Sequence, residues 1–312
     1  MTRELPNYSS YTVDTHISSA NQKTIMEDRH VIEAAGMTRL VIENGKVTEV
    51  GEPKISFCPF AKRFASPINP VTPEAVQKNI EHRISKFGMC TRDRQVLDEE
   101  SQVLFGASEL LTTALKNKTV DAAVICCDGA GTVIVTDPKL IQGIGGRMSG
   151  LVETVPYAEV ISAIEEAGGI VVDKETASLD ALAGVAEAKR RGFKNVAVTV
   201  AGFQHELAEE IRSQFPDAVI IGVHTTGVAS LDDAKRLCAA CDLVFACASQ
   251  HIRDAAKEYA VVQGGVGVPV FAVSAFGKRI VLERLMDTNE PLLIKNMKLP
   301  VCDMGKQPEP LI

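Results

Sequence analysis

From about residue 100 onward, short apolar runs rich in β-branched residues alternate with amphipathic stretches of three or more helical turns. This alternation constrains the fold more than any other feature of the chain. The apolar runs occupy residues 120–127 (VDAAVICC), 131–136 (GTVIVT), 169–172 (GIVV), 195–200 (NVAVTV), 218–223 (AVIIGV), 242–246 (DLVFA) and 269–273 (PVFAV). Between them lie helical stretches over residues 157–167, from Ser178 to Gly192, over 204–215, and from Ser230, where Asp233 supplies a capping-box acid. Strands separated by helices of this length form βαβ units, and near-continuously apolar strands need cover on both faces. The expected fold is α/β, a mostly parallel sheet with helices on both faces.

Upstream the pattern differs. Two alternating runs within residues 39–51 flank Asn44-Gly45, a type I′ hairpin signal. Residues 57–72 are rich in proline and basic side chains, which predicts irregular chain. Thr72-Pro73-Glu74 starts a helix, with Thr72 as cap and proline in the first turn, running to about Phe87 and stopped by Gly88. The expected organisation is a polar arm over 1–28, a small N-terminal subdomain with the β-hairpin over 29–99, the α/β domain over 100–290, and a tail over 291–312.

The 312 residues are enough to bury a substantial core. A net charge of -7 and the absence of tryptophan argue against a nucleic-acid surface, which needs a cationic face and stacking platforms. No apolar run approaches the roughly 18 residues needed to span a bilayer, and the first residues lack a signal-peptide core, so no membrane association and a cytoplasmic location are expected. In that compartment the eight cysteines read as thiols, ligands or core residues rather than disulfides.

In an open α/β sheet, ligands bind beyond the carboxyl ends of the strands. The residues there include Cys127, Asp128, His224 and Cys247, which are the candidate catalytic groups. The competing reading is that strands must end in small or polar turn residues in any case. Residues 142–150 (QGIGGRMSG) form the most glycine-dense stretch. There Gly143, Gly145, Gly146, Arg147 and Ser149 are candidates to hold an anionic small molecule or cofactor through backbone N–H groups and a guanidinium. The stretch is not a dinucleotide fingerprint, since Met148 stands where the third glycine belongs. Cys238 and Cys241 form a CxxC at helical core spacing, without the second ligand pair of a zinc site. Cys58 and Cys90 lie in irregular segments near Arg63, Arg92 and Arg94 and are candidate ligands of a metal or iron–sulfur cluster. His16, His30, His82 and His205 read as surface or interface residues.

Several segments together resemble the methanogenesis marker protein 8 family: residues 41–53 (VIENGKVTEVGEP), 57–59 (FCP), 87–91 (FGMCT), 127–132 (CDGAGT), 142–150 and 247–249 (CAS). The resemblance covers roughly residues 29–290. It implies a cytoplasmic archaeal protein that supports or matures methyl-coenzyme M reductase by binding one of its components or an anionic cofactor, and it supplies no catalytic residues. Residues 106–115, 120–124 and 144–149 are similar to the N-terminal, flavin-associated region of deazaflavin-reducing hydrogenase beta subunits, without their clustered cysteines. That likeness implies the alternative, a redox or transferase enzyme using a flavin or an iron–sulfur centre at the carboxyl edge of the sheet. Whether the chain is an enzyme, and whether it assembles as a homo-oligomer, stay open at this point.

Overall fold

The computed structural model describes residues 28–148 and 150–312. Ser149 and all but the last residue of the expected arm lie outside the described residues.

The described residues begin with β1 (Arg29–Ala34), β2 (Thr38–Glu43) and β3 (Lys46–Val50), followed by α1 (Pro73–Phe87) and α2 (Ala107–Lys116). A hairpin of β4 (Ala122–Cys127) and β5 (Gly131–Val135) leads to α3 (Pro138–Ile144) and β6 (Gly150–Glu153). Then come α4 (Ala158–Glu166), β7 (Ile170–Val171), α5 (Ala181–Arg190), β8 (Val196–Ala201), α6 (His205–Gln214) and β9 (Val219–Val223). The series closes with α7 (Leu231–Ala240), β10 (Leu243–Phe245), α8 (Gln250–Tyr259), β11 (Val262–Gly264), β12 (Val270–Ala272) and α9 (Ala275–Asp287).

The main sheet has eight strands in the order β11-β12-β10-β9-β8-β4-β5-β7. The expected mostly parallel sheet is corrected here. Only β4·β8, β8·β9 and β9·β10 pair in parallel, while β4·β5, β5·β7, β10·β12 and β11·β12 are antiparallel. For β4·β5 the physical reason is connection length. A parallel pair needs a crossover of a dozen or more residues, and the turn over residues 128–130 allows only a hairpin. A parallel centre is thus flanked by antiparallel strands on both sides. Helices do cover both faces. Along β4, Ala123, Ile125 and Cys127 face one core with α2, α3, α4 and α9, whereas Ala122 and Val124 face another with α5 to α8.

The small sheet has the order β3-β2-β1-β6, all antiparallel. Its hairpin turns on Asn44 (φ 50) and Gly45 (φ 70), both left-handed, as a type I′ turn requires. Thr72 caps α1 through a bond from the Ala75 N–H. The apolar stripe of α1, Val76 and Ile80, packs on Ile32, Leu40 and Ile42. Strand β6 comes from Gly150–Glu153, after the β4–β5 hairpin of the main sheet, so residues 29–99 do not complete this sheet alone.

Residues 307–312 strap the two sheets together. Gln307 Oε1 accepts from Arg253 Nε at 2.8 Å, Glu309 forms an antiparallel bridge with Phe57, and Ile312 exchanges backbone bonds with Ala248 and Gln250. Among the described residues no helix is long and apolar enough to cross a membrane.

Candidate functional site: a cavity between the two sheets

The carboxyl edge of the parallel centre faces the small sheet and α1, and a cavity of about 340 Å³ opens between them. That volume suits a small organic ligand. The strand-end residues His224 and Cys247 line it, as do Gly145, Gly146 and Arg147 of the glycine-dense stretch and Cys58 of the irregular N-terminal segment. His224 and Cys247 meet because parallel strands put their carboxyl ends on one edge, and Cys58 is brought over by the N-terminal segment that packs opposite.

His224 (φ 50) and Cys247 (φ 43) both sit in the left-handed region, which side-chain-bearing residues rarely occupy. The His224 ring is open to the cavity although protein surrounds it, and that burial lowers its pKa. Burial pushes the Cys58 thiol up, the backbone N–H groups of Ala61 and Phe60 draw it partly back, and neighbouring Cys247 adds to the rise.

Other expected residues go elsewhere. Asp128 does not line the cavity. Its carboxylate accepts from Arg94 Nε at 2.9 Å and from the Cys90 N–H at 2.5 Å, with both charged side chains fully buried. Cys127 Sγ donates to the Asp128 carbonyl at 3.3 Å. Burial pushes the Cys90 and Cys127 thiols well above the ordinary range, so both stay protonated in this knot. Gly143 is a packing residue: a Cβ there would meet the Val96 carbonyl oxygen at 2.1 Å. Cys90 does not line the cavity that Cys58 does, and among the described residues no group of three or more His, Cys, Asp or Glu side chains could hold a metal ion. Cys238 and Cys241 are buried in the core, and burial pushes the Cys238 thiol up to about 12.

Arg147 was expected to offer its charge to an anion. Its Nε donates to Asp98 at 2.8 Å and its Nη2 to Glu100 at 3.0 Å, so two carboxylates already answer it, while its guanidinium stacks on Phe87 at 4.6 Å.

The polar wall that the strand-end reasoning missed is the inward face of α1. Asn79, His82 and Arg83 follow one another at helical spacing beside Val76 and Ile80, and all three line the cavity. Asn79 is 2% exposed, its Nδ2 donates to the Ser66 carbonyl at 2.6 Å, and its Oδ1 has no partner. His82, expected at a surface or interface, is half-buried at the cavity wall, and its Nε2 is likewise unpartnered. Arg83 stacks over Phe64 at 4.9 Å, and burial, with the charges of Arg147 and Arg94, lowers it to about 10. The signal was present in the sequence as polar residues set at i, i+3 and i+4 into an apolar helical stripe. His30 is also corrected. It is fully buried, bonded at 2.8 Å to both Thr154 Oγ1 and Tyr157 Oη, and ties β1 to the segment after β6.

The profile of a family described as an uncharacterised protein conserved in archaea, DUF2099, matches residues 30–286. An uncharacterised protein of Methanocaldococcus jannaschii is 45% identical over 289 residues, covering 91% of this chain and all of the relative. The chain therefore belongs to the DUF2099 family of archaeal proteins.

Proposed function

We propose that the protein binds an organic anion with an apolar, ring-sized body in the cavity between its two sheets, and that it acts as an accessory protein of methane metabolism, delivering or retaining such a cofactor for methyl-coenzyme M reductase. One observation carries the binding reading. The same cavity is lined by Phe60, Phe64 and Phe87, by Arg83 stacked on Phe64, and by Asn79 and His82, whose Oδ1 and Nε2 are buried atoms that no other described residue satisfies. Buried polar atoms are nearly always bonded, and both residues that carry these orphans wall the cavity, so a ligand bound there would supply polar partners that the chain itself does not. The metabolic setting rests on the marker-protein-8 resemblance. Co-purification with reductase subunits from a methanogen tests it.

The binding reading is tested with 8-anilinonaphthalene-1-sulfonate (ANS), which joins an aromatic body to an anion. Its fluorescence should saturate at one site per chain. Arg83→Met should weaken the affinity about tenfold or more, the scale of a lost charge-assisted bond. Unsaturable binding, or equal affinity in the variant, contradicts the reading. The two cavity thiols, Cys58 and Cys247, favour a second reading, a redox or transferase enzyme holding a flavin or metal centre. A flavin or cluster spectrum in anaerobically purified protein would select it.

A further inference from the structure

Two titratable side chains in the cavity are left unused by a binding role. His224 follows β9 with a left-handed backbone that aims its ring into the cavity. Glu33 precedes the last residue of β1 and lines the same cavity. The two meet across Gly150, the residue opposite Glu33 in the β1·β6 pairing. A Cβ on Gly150 would stand 3.4 Å from Glu33 Cβ and 3.4 Å from His224 Nδ1, so the base of the Glu33 side chain and the imidazole flank the same glycine. No hydrogen bond or ion pair joins either side chain to another described residue. Unpartnered titratable groups held together in a cleft, one of them on strained backbone, are what a catalytic site requires and a packing role does not.

We propose that Glu33 and His224 form a proton-transfer pair acting on the bound anion, and that the substrate class is a carboxylate-bearing carbonyl compound with an acidic C–H beside the carbonyl. The proposal rests on the reading that the cavity binds an organic anion. In the step, an imidazole nitrogen of His224 takes the proton from the carbon. The C–H electron pair becomes the C=C bond of the enol, and the carbonyl π pair takes up the carboxyl proton of Glu33. The resulting imidazolium then returns a proton to the Glu33 carboxylate, so the site resets without oxidant, reductant or co-reactant. The protonation states suit this. Burial raises Glu33 to about 7, which keeps a proton available near neutrality, and burial lowers His224, which keeps its lone pair free.

Phenylpyruvate and pyruvate are the probes, incubated with the full chain in D2O while proton NMR follows loss of the signal beside the carbonyl. The wild-type protein should exchange at least one of them faster than buffer. Glu33→Gln and His224→Asn should each cut the protein-dependent rate at least tenfold while ANS binding persists, which separates lost chemistry from lost folding or binding. Exchange at the buffer rate with both acids, or undiminished rates in both variants, overturns the proposal. Failure of the wild-type protein to bind ANS is a distinct result that removes the binding reading underneath it.

Discussion

Asp128 illustrates how a residue of catalytic type can be structural. It follows β4 at the carboxyl edge, where ligand-binding groups gather, yet its carboxylate is consumed by Arg94 and the Cys90 backbone in a fully buried knot. A buried pair adds little net stability, but removing one partner strands a charge, at a cost of about 3–5 kcal/mol. Asp128→Ala should therefore lower the unfolding free energy by that amount in denaturant titrations. A loss under 1 kcal/mol would mean that Asp128 is free for other work. Glu33 gives a prediction of opposite character. Its folded pKa, about 7, lies above the ordinary 4.5, so folding favours the protonated form. Its contribution to stability is present below 4.5 and is lost as pH rises towards 7, by at most about 3 kcal/mol. Glu33→Gln should remove this fall in a series of thermal melts across that range. An unchanged pH slope in the variant would place the Glu33 carboxyl in water. Sequence reading singled out His224, Cys247, Cys58 and the loop around Gly145-Gly146, all of which line the cavity, since strand ends and glycines are visible in one dimension. It did not foresee the ion pairs of Asp128 and Arg147, because their partners arrive from other segments: Arg94 for the first, Asp98 and Glu100 for the second.

At the scale of elements, caps and turns were legible where their chemistry is local. Asn44-Gly45 makes the expected turn, Thr72 caps α1, and Ser230 accepts from the Asp233 N–H to open α7. Strand direction was not legible, because an apolar run reads the same in a parallel or an antiparallel pair. The decisive residues are those of the β4–β5 turn. Gly131 there has φ +71, and a Cβ would lie 2.2 Å from the Ala177 carbonyl oxygen, which is backbone and cannot swing aside. Gly131→Ala should thus cost about 2 kcal/mol or more, from the left-handed strain and the displaced neighbour together. A variant as stable as wild type in calorimetry would show that the hairpin adapts freely. The inward face of α1 was readable as a helix but not as a wall, since its polar residues gain meaning only when the carboxyl edge of the main sheet lies opposite.

For the whole molecule, the cavity exists because two sheets are held at a fixed separation, and the last residues do part of the holding. Gln307, Glu309 and Ile312 bridge Arg253, Phe57 and the Ala248–Gln250 turn, and Pro308 lines the cavity itself. A chain ending at Lys306 should keep both cores. It should also show faster amide exchange over residues 55–65 and weaker ANS binding, and identical exchange in the two proteins would make the strap incidental. The central claim is that an organic anion occupies the space between the sheets, and a crystal structure with ANS bound tests it most directly. The sulfonate should lie against Arg83 or Arg63, with the rings against Phe60, Phe64 and Phe87. A dye bound elsewhere on the surface, with this cavity left to solvent, would contradict it.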